Sequence, residues 1–332
     1  MRTKTPLQTK IKISNISLLI AGTMLVVMYL AGSSVYDRFG QISTVLNLFN
    51  DNAYLIVVAV GMTFVLLTGG IDISVASTLA FTGVFSASLL EKGLPAIAVI
   101  PLVLAIGTLV GYAQGYAIHT FQIAPFLVTL AGQFLMRGMC AVISTVSIPI
   151  NDPFFKAAAL GKISWKLSSG GTAKLYHYVY VALAVLLVAW YVLRSTRFGR
   201  AVYAVGSSEQ SAQYMGLNVK RVKIGVYAIN GFCAALGGVL FSFYTLAGYS
   251  LQNMGLELDA ISSAVIGGTL LTGGVGTVIG SMVGVLIQGI IQTIVTYQNL
   301  NTWWTKVTVA AILCFFILVQ RIIAIRAERK KA

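Results

Sequence analysis

The stretch Leu66-Leu67-Thr68-Gly69-Gly70-Ile71-Asp72-Ile73-Ser74 closes an apolar run, and its first five letters return at Leu270 to Gly274, again after an apolar run. Two glycines and a carboxylate are costly company for a membrane helix. Gly-Gly admits backbone geometry that other residues resist, and a charge inside hydrocarbon must find a partner or water. Aligning 65–77 (VLLTGGIDISVAS) on 269–281 (TLLTGGVGTVIGS) matches six of thirteen positions. The alignment lays the break between the second and third apolar segments over the break between the eighth and ninth. Each break is expected to let a helix hairpin turn within or near the membrane, sheltered by neighbouring helices. Gly69, Gly70, Gly273 and Gly274 are the expected structural breaks. Asp72, ahead of Ser74 and Ser77, suits the cap of the helix that follows.

Outward from these breaks the chain keeps the same character. Of its 332 residues 57% are hydrophobic and 10% charged, where a soluble domain carries roughly 25% charge. The expected fold is all-α: one polytopic transmembrane helical bundle over 14–320, with two Gly-Gly-interrupted hairpins. About ten spans are expected, at 14–34, 53–68, 75–90, 94–118, 125–147, 176–193, 224–247, 259–272, 275–297 and 304–320. Segments 53–68 and 259–272, which run into the two LLTGG stretches, fall short of the roughly 20 residues that cross a bilayer. The first span is too long for a cleavable signal and is read as retained.

A net charge of +14 could suggest nucleic acid, but the distribution excludes it. Fifteen of the 23 Lys and Arg fall at 2–12, 194–223 and 321–331. With ten spans these lie on one side of the bilayer, and the excess of positive charge makes that side the cytoplasm, with both termini. Segment 149–175, with four lysines, is then placed on the periplasmic side. Cys140, Cys233 and Cys314 sit singly in apolar runs as expected small buried hydrophobes, and no spacing suggests a metal.

Glycines four apart mark close helix packing: Gly107, Gly111 and Gly115 in one span, Gly276, Gly280 and Gly284 in another. Two polar stripes accompany them. Thr129, Gln133, Arg137, Cys140 and Ser144 fall within about 80° of arc at 100° per residue, and Arg137 lies about 18 Å along its helix from Pro125. Thr277, Ser281, Gln288, Gln292, Thr296 and Asn299 share a similar arc. Either the stripes line a hydrated route for a polar solute, with Thr129, Gln133, Arg137, Ser281, Gln288 and Gln292 along it, or they hydrogen-bond helices together. Asp72, Glu257 and Asp259 are the acids that could face Arg137; the last two also suit a helix N-terminus.

The chain has no phosphate-binding loop: Leu160-Gly161-Lys162-Ile163 lacks the leading glycine and the hydroxyl after lysine. It has no HExxH and only two histidines, His119 and His177, both at span edges. A transport function therefore needs energy from a partner, or an ion taken up at Asp72. The loop 194–223 (RSTRFGRAVYAVGSSEQSAQYMGLNVKRVK) offers a place to receive it. Ser207 or Ser208 can cap a short helix that stops at Gly216, held between basic anchors and presented to a soluble partner.

Four blocks, GMTFVLLTGGIDISVAS at 61–77, PFLVTLAGQFLMRGM at 125–139, TRFGRAVYAVGSSEQSAQYMGLNV at 196–219 and ELDAISSAVIGGTLLTGGVGTVIG at 257–280, resemble the permease subunits of bacterial ABC importers for monosaccharides. This is the ribose, xylose and galactose family. The overall sequence is most similar to a permease of a galactofuranose importer. The resemblance implies an inner-membrane assembly: two permeases (a related chain or a second copy) form the pathway, and a periplasmic binding protein delivers the sugar. A cytosolic ABC ATPase uses ATP and Mg²⁺, so this chain would hold no cofactor and catalyse nothing. It also implies that the loop docks into the ATPase through Gly206, Ser208, Glu209, Tyr214 and Gly216. Two positions depart from the family, Ser208 where Asn is frequent and Ala76 where Gly is usual, and the first bears on docking. An ion-coupled carrier and a membrane enzyme are the other classes weighed; the scarcity of clustered acids, nucleophiles and metal ligands disfavours both.

Overall fold

The structure is a computed structural model; it describes the backbone of residues 6–37, 39–166, 172–301 and 303–329 and side chains between 17 and 318. The basic residues of 2–12 and 321–331 and the stretch 167–171 lie outside these described residues and side chains. The elements in order are α1 (Pro6–Val35), α2 (Ile42–Leu67), α3 (Val75–Glu91), α4 (Ala96–Thr120), α5 (Pro125–Ile143), β1 (Ile148–Pro149), α6 (Pro153–Leu160), β2 (Lys162–Lys166), β3 (Thr172–Tyr176), α7 (His177–Ser195), α8 (Arg197–Ser207), α9 (Glu209–Tyr214), α10 (Val219–Thr245), β4 (Ala247–Gly248), α11 (Leu256–Ile266), α12 (Val278–Tyr297) and α13 (Trp303–Arg329).

The fold is an all-helical membrane bundle, with a helix in every apolar segment expected to span. Seven helices among the described residues are long and apolar enough to cross a membrane. Helix α3, with 17 residues, and the apolar part of α13 are shorter. Helix α11 has 11 residues, about 16 Å at 1.5 Å per residue, and reaches only part way. Apolar side chains such as Leu109, Phe134, Val142 and Leu187 are exposed on the outside of the bundle, as lipid-facing positions are.

Helix α10 is the hub. It packs against α4, α2 and α3, and glycines set the approach. An added methyl on Gly107 would meet Ala235 and the Gly231 carbonyl, one on Gly111 the Tyr227 carbonyl, and one on Gly115 the Ile224 backbone. The second glycine series acts in the same way only in part. Gly280 rests on the carbonyl of Gly267, just past the end of α11, and Gly284 on that of Ser263 within it, but Gly276 lies before α12, in the loop.

The second span is longer than the sequence suggests. Helix α2 holds 26 residues because Asn50, Asp51 and Asn52 lie inside it rather than before it. Asn50 donates to the Lys174 carbonyl at 2.8 Å and accepts from the Tyr176 amide, and Asn52 donates to the Leu48 carbonyl at 2.9 Å. Polar groups with partners no longer end a helix. Cys140 and Cys233 are buried as expected, whereas Cys314 is exposed because it sits on the outer face of α13.

Segments 149–175 and 194–223 lie at opposite ends of the bundle, since α7 starts at the end of β3 and finishes at the start of α8. At the first end, β2 pairs antiparallel with β3, and β1 with β4. Asp152 caps α6 by accepting from the Phe155 amide at 2.7 Å. At the other end α8 packs against α7, α10 and α2, and α9 against α8 and α10.

Candidate functional site

The loop that the sequence singles out is two helices, not one. Thr196 caps α8 by accepting from the Gly199 amide at 3.1 Å. Its basic flank had hidden this helix. The chain then turns at Ser208, whose side chain accepts from the Ser211 amide at 3.2 Å and caps α9. Gly216, at φ +76°, ends it in left-handed geometry that glycine adopts most cheaply. Ala212 is buried beneath α9, while Tyr214 is 90% and Met215 67% exposed. Both side chains therefore face outward at this end of the molecule. Glu209 already has a partner within the chain: its carboxylate, partly exposed, pairs with Lys223 at the foot of α10, 2.7 Å away. Met215 was missed because its neighbour Tyr214 drew the reading of docking chemistry.

Directly under α8 the two LLTGG stretches meet. The Gly274 amide donates to the Leu67 carbonyl at 2.8 Å. A methyl on Gly206 would collide with the Leu67 carbonyl and the Gly274 amide, and one on Gly273 with Gly69 and the Gly206 carbonyl. Gly69, Gly273 and Gly274 all take left-handed φ, +76°, +80° and +74°. The Tyr203 hydroxyl, one turn back along α8, donates to the Gly276 carbonyl at 2.9 Å. Burial raises that phenol to about 12, so it keeps the proton it donates.

The two breaks differ from the expected pair of hairpins. The first is a helix end, where the Gly69 amide donates to the Leu66 carbonyl and the Gly70 amide to the Val65 carbonyl. Yet α2 and α3 diverge beyond it, with α10 packed against both. The second LLTGG does not end a helix. Helix α11 stops at Gly267 and Gly268 (φ +97°), and 270–274 is a tight loop closed by the Leu270 amide on the Val275 carbonyl. There α11 and α12 do lie against each other.

Asp72 is 1% exposed. Its Oδ1 accepts from the Ser74 amide at 2.8 Å and the Ser74 hydroxyl at 2.7 Å, just ahead of α3, and its Oδ2 accepts from Asn230 of α10 at 2.7 Å. It caps the connection and ties it to the hub helix.

The six stripe residues are not gathered in one place. Thr129 is buried against the Ile71 carbonyl and Ile73 amide. Ser281 is buried and shares a 2.6 Å hydrogen bond with Thr63 of α2. Gln288 donates to the Asp259 carbonyl at 3.1 Å. Arg137 is half-buried and donates to the Ser250 carbonyl at 2.6 Å and that of Gln252 at 3.2 Å, which holds the loop before α11. Gln133 donates to Glu257 at 3.4 Å, and Gln292 is exposed. Asp259 pairs with Lys306 of α13 at 2.5 Å. At this same end a cavity of about 310 Å³ is lined by Ser147, Phe241, Thr245, Ala247, Tyr249 and Gln252. Among the described residues no cluster of three or more His, Cys, Asp or Glu could hold a metal ion.

The chain is thus a multi-pass helical bundle that presents an α8–α9 loop at one end. Residues 44–318 match the family described as "Branched-chain amino acid transport system / permease component", and the chain belongs to it. It is 42% identical to the inner membrane ABC transporter permease protein YjfF of Escherichia coli strain K12, over 96% of each chain. It is 34% identical to the fructose import permease protein FruG of Bifidobacterium longum, over 94% of this chain and 93% of that one. It is 33% identical to the ribose import permease protein RbsC of Haemophilus influenzae, over 89% and 90%. The resemblance to sugar-importer permeases is thus shown along nearly the whole chain. No solved structure matches it.

Proposed function

We propose that this chain is one of two permease subunits of an ATP-driven monosaccharide importer in the bacterial inner membrane, with galactofuranose or a similar sugar as cargo. The observation that carries this reading is α9: a capped helix that turns Tyr214 and Met215 outward at the end of the bundle bearing the basic loop flanks. Its partner is a cytosolic ATPase, which hydrolyses ATP with Mg²⁺; this chain holds neither. Loop 194–223 and both termini face the cytoplasm, and segment 149–175 faces the periplasm and the sugar-binding protein. Relatives named for fructose and ribose import support a sugar as cargo, and the sequence-wide likeness to a galactofuranose importer permease supports the finer choice.

Within this chain the cycle needs few polar contacts. Sugar released by the binding protein first meets this end of the bundle, at the open, mostly apolar hollow of Phe241, Tyr249, Thr245, Ser147 and Gln252. Gln133, Arg137 and Gln292 supply the polar contacts along the path. Thr129, Ser281 and Gln288 act through the helices they join. Gly206 to Gly216 receives the ATPase, with Glu209 held by Lys223 as a brace and Tyr214 as the contact.

The test is co-purification in mild detergent from the native host. Retention of an ATPase and a related permease supports an asymmetric importer; the ATPase with this chain alone supports a homodimeric pathway. Recovery without any ATPase, where a known importer stays intact, would sink the reading and favour an ion-coupled carrier using Asp72.

A further inference from the structure

We propose that Gly206 and Tyr203 are positioning residues of the transport cycle: they lock the end of α8 onto both LLTGG stretches, so that displacement of α9 moves the α2–α3 and α11–α12 connections together. This rests on α9 being the ATPase contact and states where its motion goes next.

The joint is made of backbone. The Gly274 amide bonds the Leu67 carbonyl, Gly206 sits against both, and Gly273 sits against Gly69 and the Gly206 carbonyl. At Gly274 the nearest atoms are the Oγ, Cα and N of Ser207. At Gly206 and Gly273 only backbone lies between the three pieces of chain, so no rotamer there can absorb a shift. Close-packed contacts of this kind transmit strain. Tyr203 adds a second attachment at Gly276, which makes the seat of α8 on the second loop a two-point contact.

On the side of α9 the link is equally short. Ser208 follows Gly206 by two residues and caps α9, and the Leu217 amide closes back on the Ala212 carbonyl at 3.1 Å. On the side of the bundle, Thr63 and Ser281 join α2 to α12, and Asp72 joins the first connection to α10. A push on α9 therefore reaches three transmembrane helices through one contact. The same five letters in both loops then have one purpose: a tight glycine turn on each side of one helix end.

Hydrogen exchange by mass spectrometry, on peptides covering 66–74 and 268–277, tests this. In the purified full chain, Gly206→Ala is expected to speed exchange at least tenfold in both peptides and leave α4 and α10 unchanged. Gly216→Ala is the control, because a methyl there meets nothing within 4 Å; it is expected to affect α9 alone. In the complex with the ATPase, ATP with vanadate is expected to shift both peptides together, and Tyr203→Phe to reduce the shift in 268–277 about twofold. A change in only one peptide, or a loosening of the whole bundle, overturns the proposal. Should Gly206→Ala fail to accumulate, Tyr203→Phe decides, and wild-type exchange in that variant, alone and in the complex, counts against the joint. If the ATPase does not bind the wild-type chain, the importer reading fails while the isolated-chain comparison still judges the joint.

Discussion

The two LLTGG stretches share five residues and one backbone feature, a left-handed glycine at Gly69 and at Gly273, φ +76° and +80°. Beyond that they part. The first ends α2 and sends the chain around α10 into α3; the second sits in a loop after α11 has already stopped and lets α12 pack back along α11. The difference lies in the flanks. Gly267 and Gly268 end α11 early, and nothing comparable precedes Leu66. After the glycines, Asp72 in the first stretch aligns with Gly276 in the second. A carboxylate there reaches across to Asn230 and fixes a splayed connection. A glycine, pressed against Thr269, allows a close return. A short repeat sets local geometry, and its neighbours decide the path of the chain.

Removing Asp72 should do most damage to this contrast. Asp72→Ala strands the Ser74 amide and the Asn230 amide in a buried place, while the Ser74 hydroxyl keeps Gln114 at 3.2 Å. At about 1–3 kcal/mol for each buried group left unmade, the loss is roughly 2–6 kcal/mol. Thermal unfolding of the purified protein should show it as the largest fall among the variants discussed. Asp72→Asn, which keeps one acceptor oxygen, should fall less. Equal melting of Asp72→Ala and wild type would mean that the carboxylate holds nothing.

The next test sets the aligned glycines against each other. A methyl at Gly69 finds only an ordinary contact with the Thr272 carbonyl, whereas at Gly273 it collides with Gly69 and Gly206 backbone. Left-handed geometry costs a non-glycine residue roughly 1–2 kcal/mol, and overpacking adds about 1–3. Gly69→Ala should therefore lose about 1–2 kcal/mol and Gly273→Ala about 2–5, as read from denaturation midpoints. The reverse order would show that the two loops do not meet as described. Smaller still is Ser281→Ala, which removes one buried bond to Thr63 and should cost about 1 kcal/mol.

How much of this was legible in the sequence depends on how local each feature is. Apolar runs give the helices, and the cap chemistry of Ser207 or Ser208 with Gly216 brackets α9. The length of α2 was hidden by Asn50, whose partners lie at Lys174 and Tyr176, far along the chain, and by Asn52, which bonds back to Leu48. Helix α8 was hidden by its arginines, which read as a juxtamembrane flank. The meeting of Leu67 with Gly274 is long-range and rests on backbone atoms, so no residue pattern announces it. The repeat was visible; that its copies touch was not. Polar stripes were visible too, but a stripe fixes only a face. The structure assigns Thr129, Ser281 and Gln288 to helix contacts because each finds a partner within reach.

The smallest effect on stability should come at the most exposed point. Tyr214→Ala removes a side chain with almost no contacts in this chain, and surface changes of that kind stay within about 0.5 kcal/mol. Its melting temperature should match wild type, while affinity for the ATPase should drop at least tenfold, about 1.4 kcal/mol, because exposed aromatics anchor interfaces. Glu209→Gln should act differently: it releases Lys223 and loosens the base of α9, with a smaller loss of affinity and more exchange in 208–217. Separate signatures for the two variants would establish Tyr214 as the contact and Glu209 as the brace. If Tyr214→Ala binds the ATPase as wild type does, the docking surface lies elsewhere on α8–α9, and Met215 is the next residue to change.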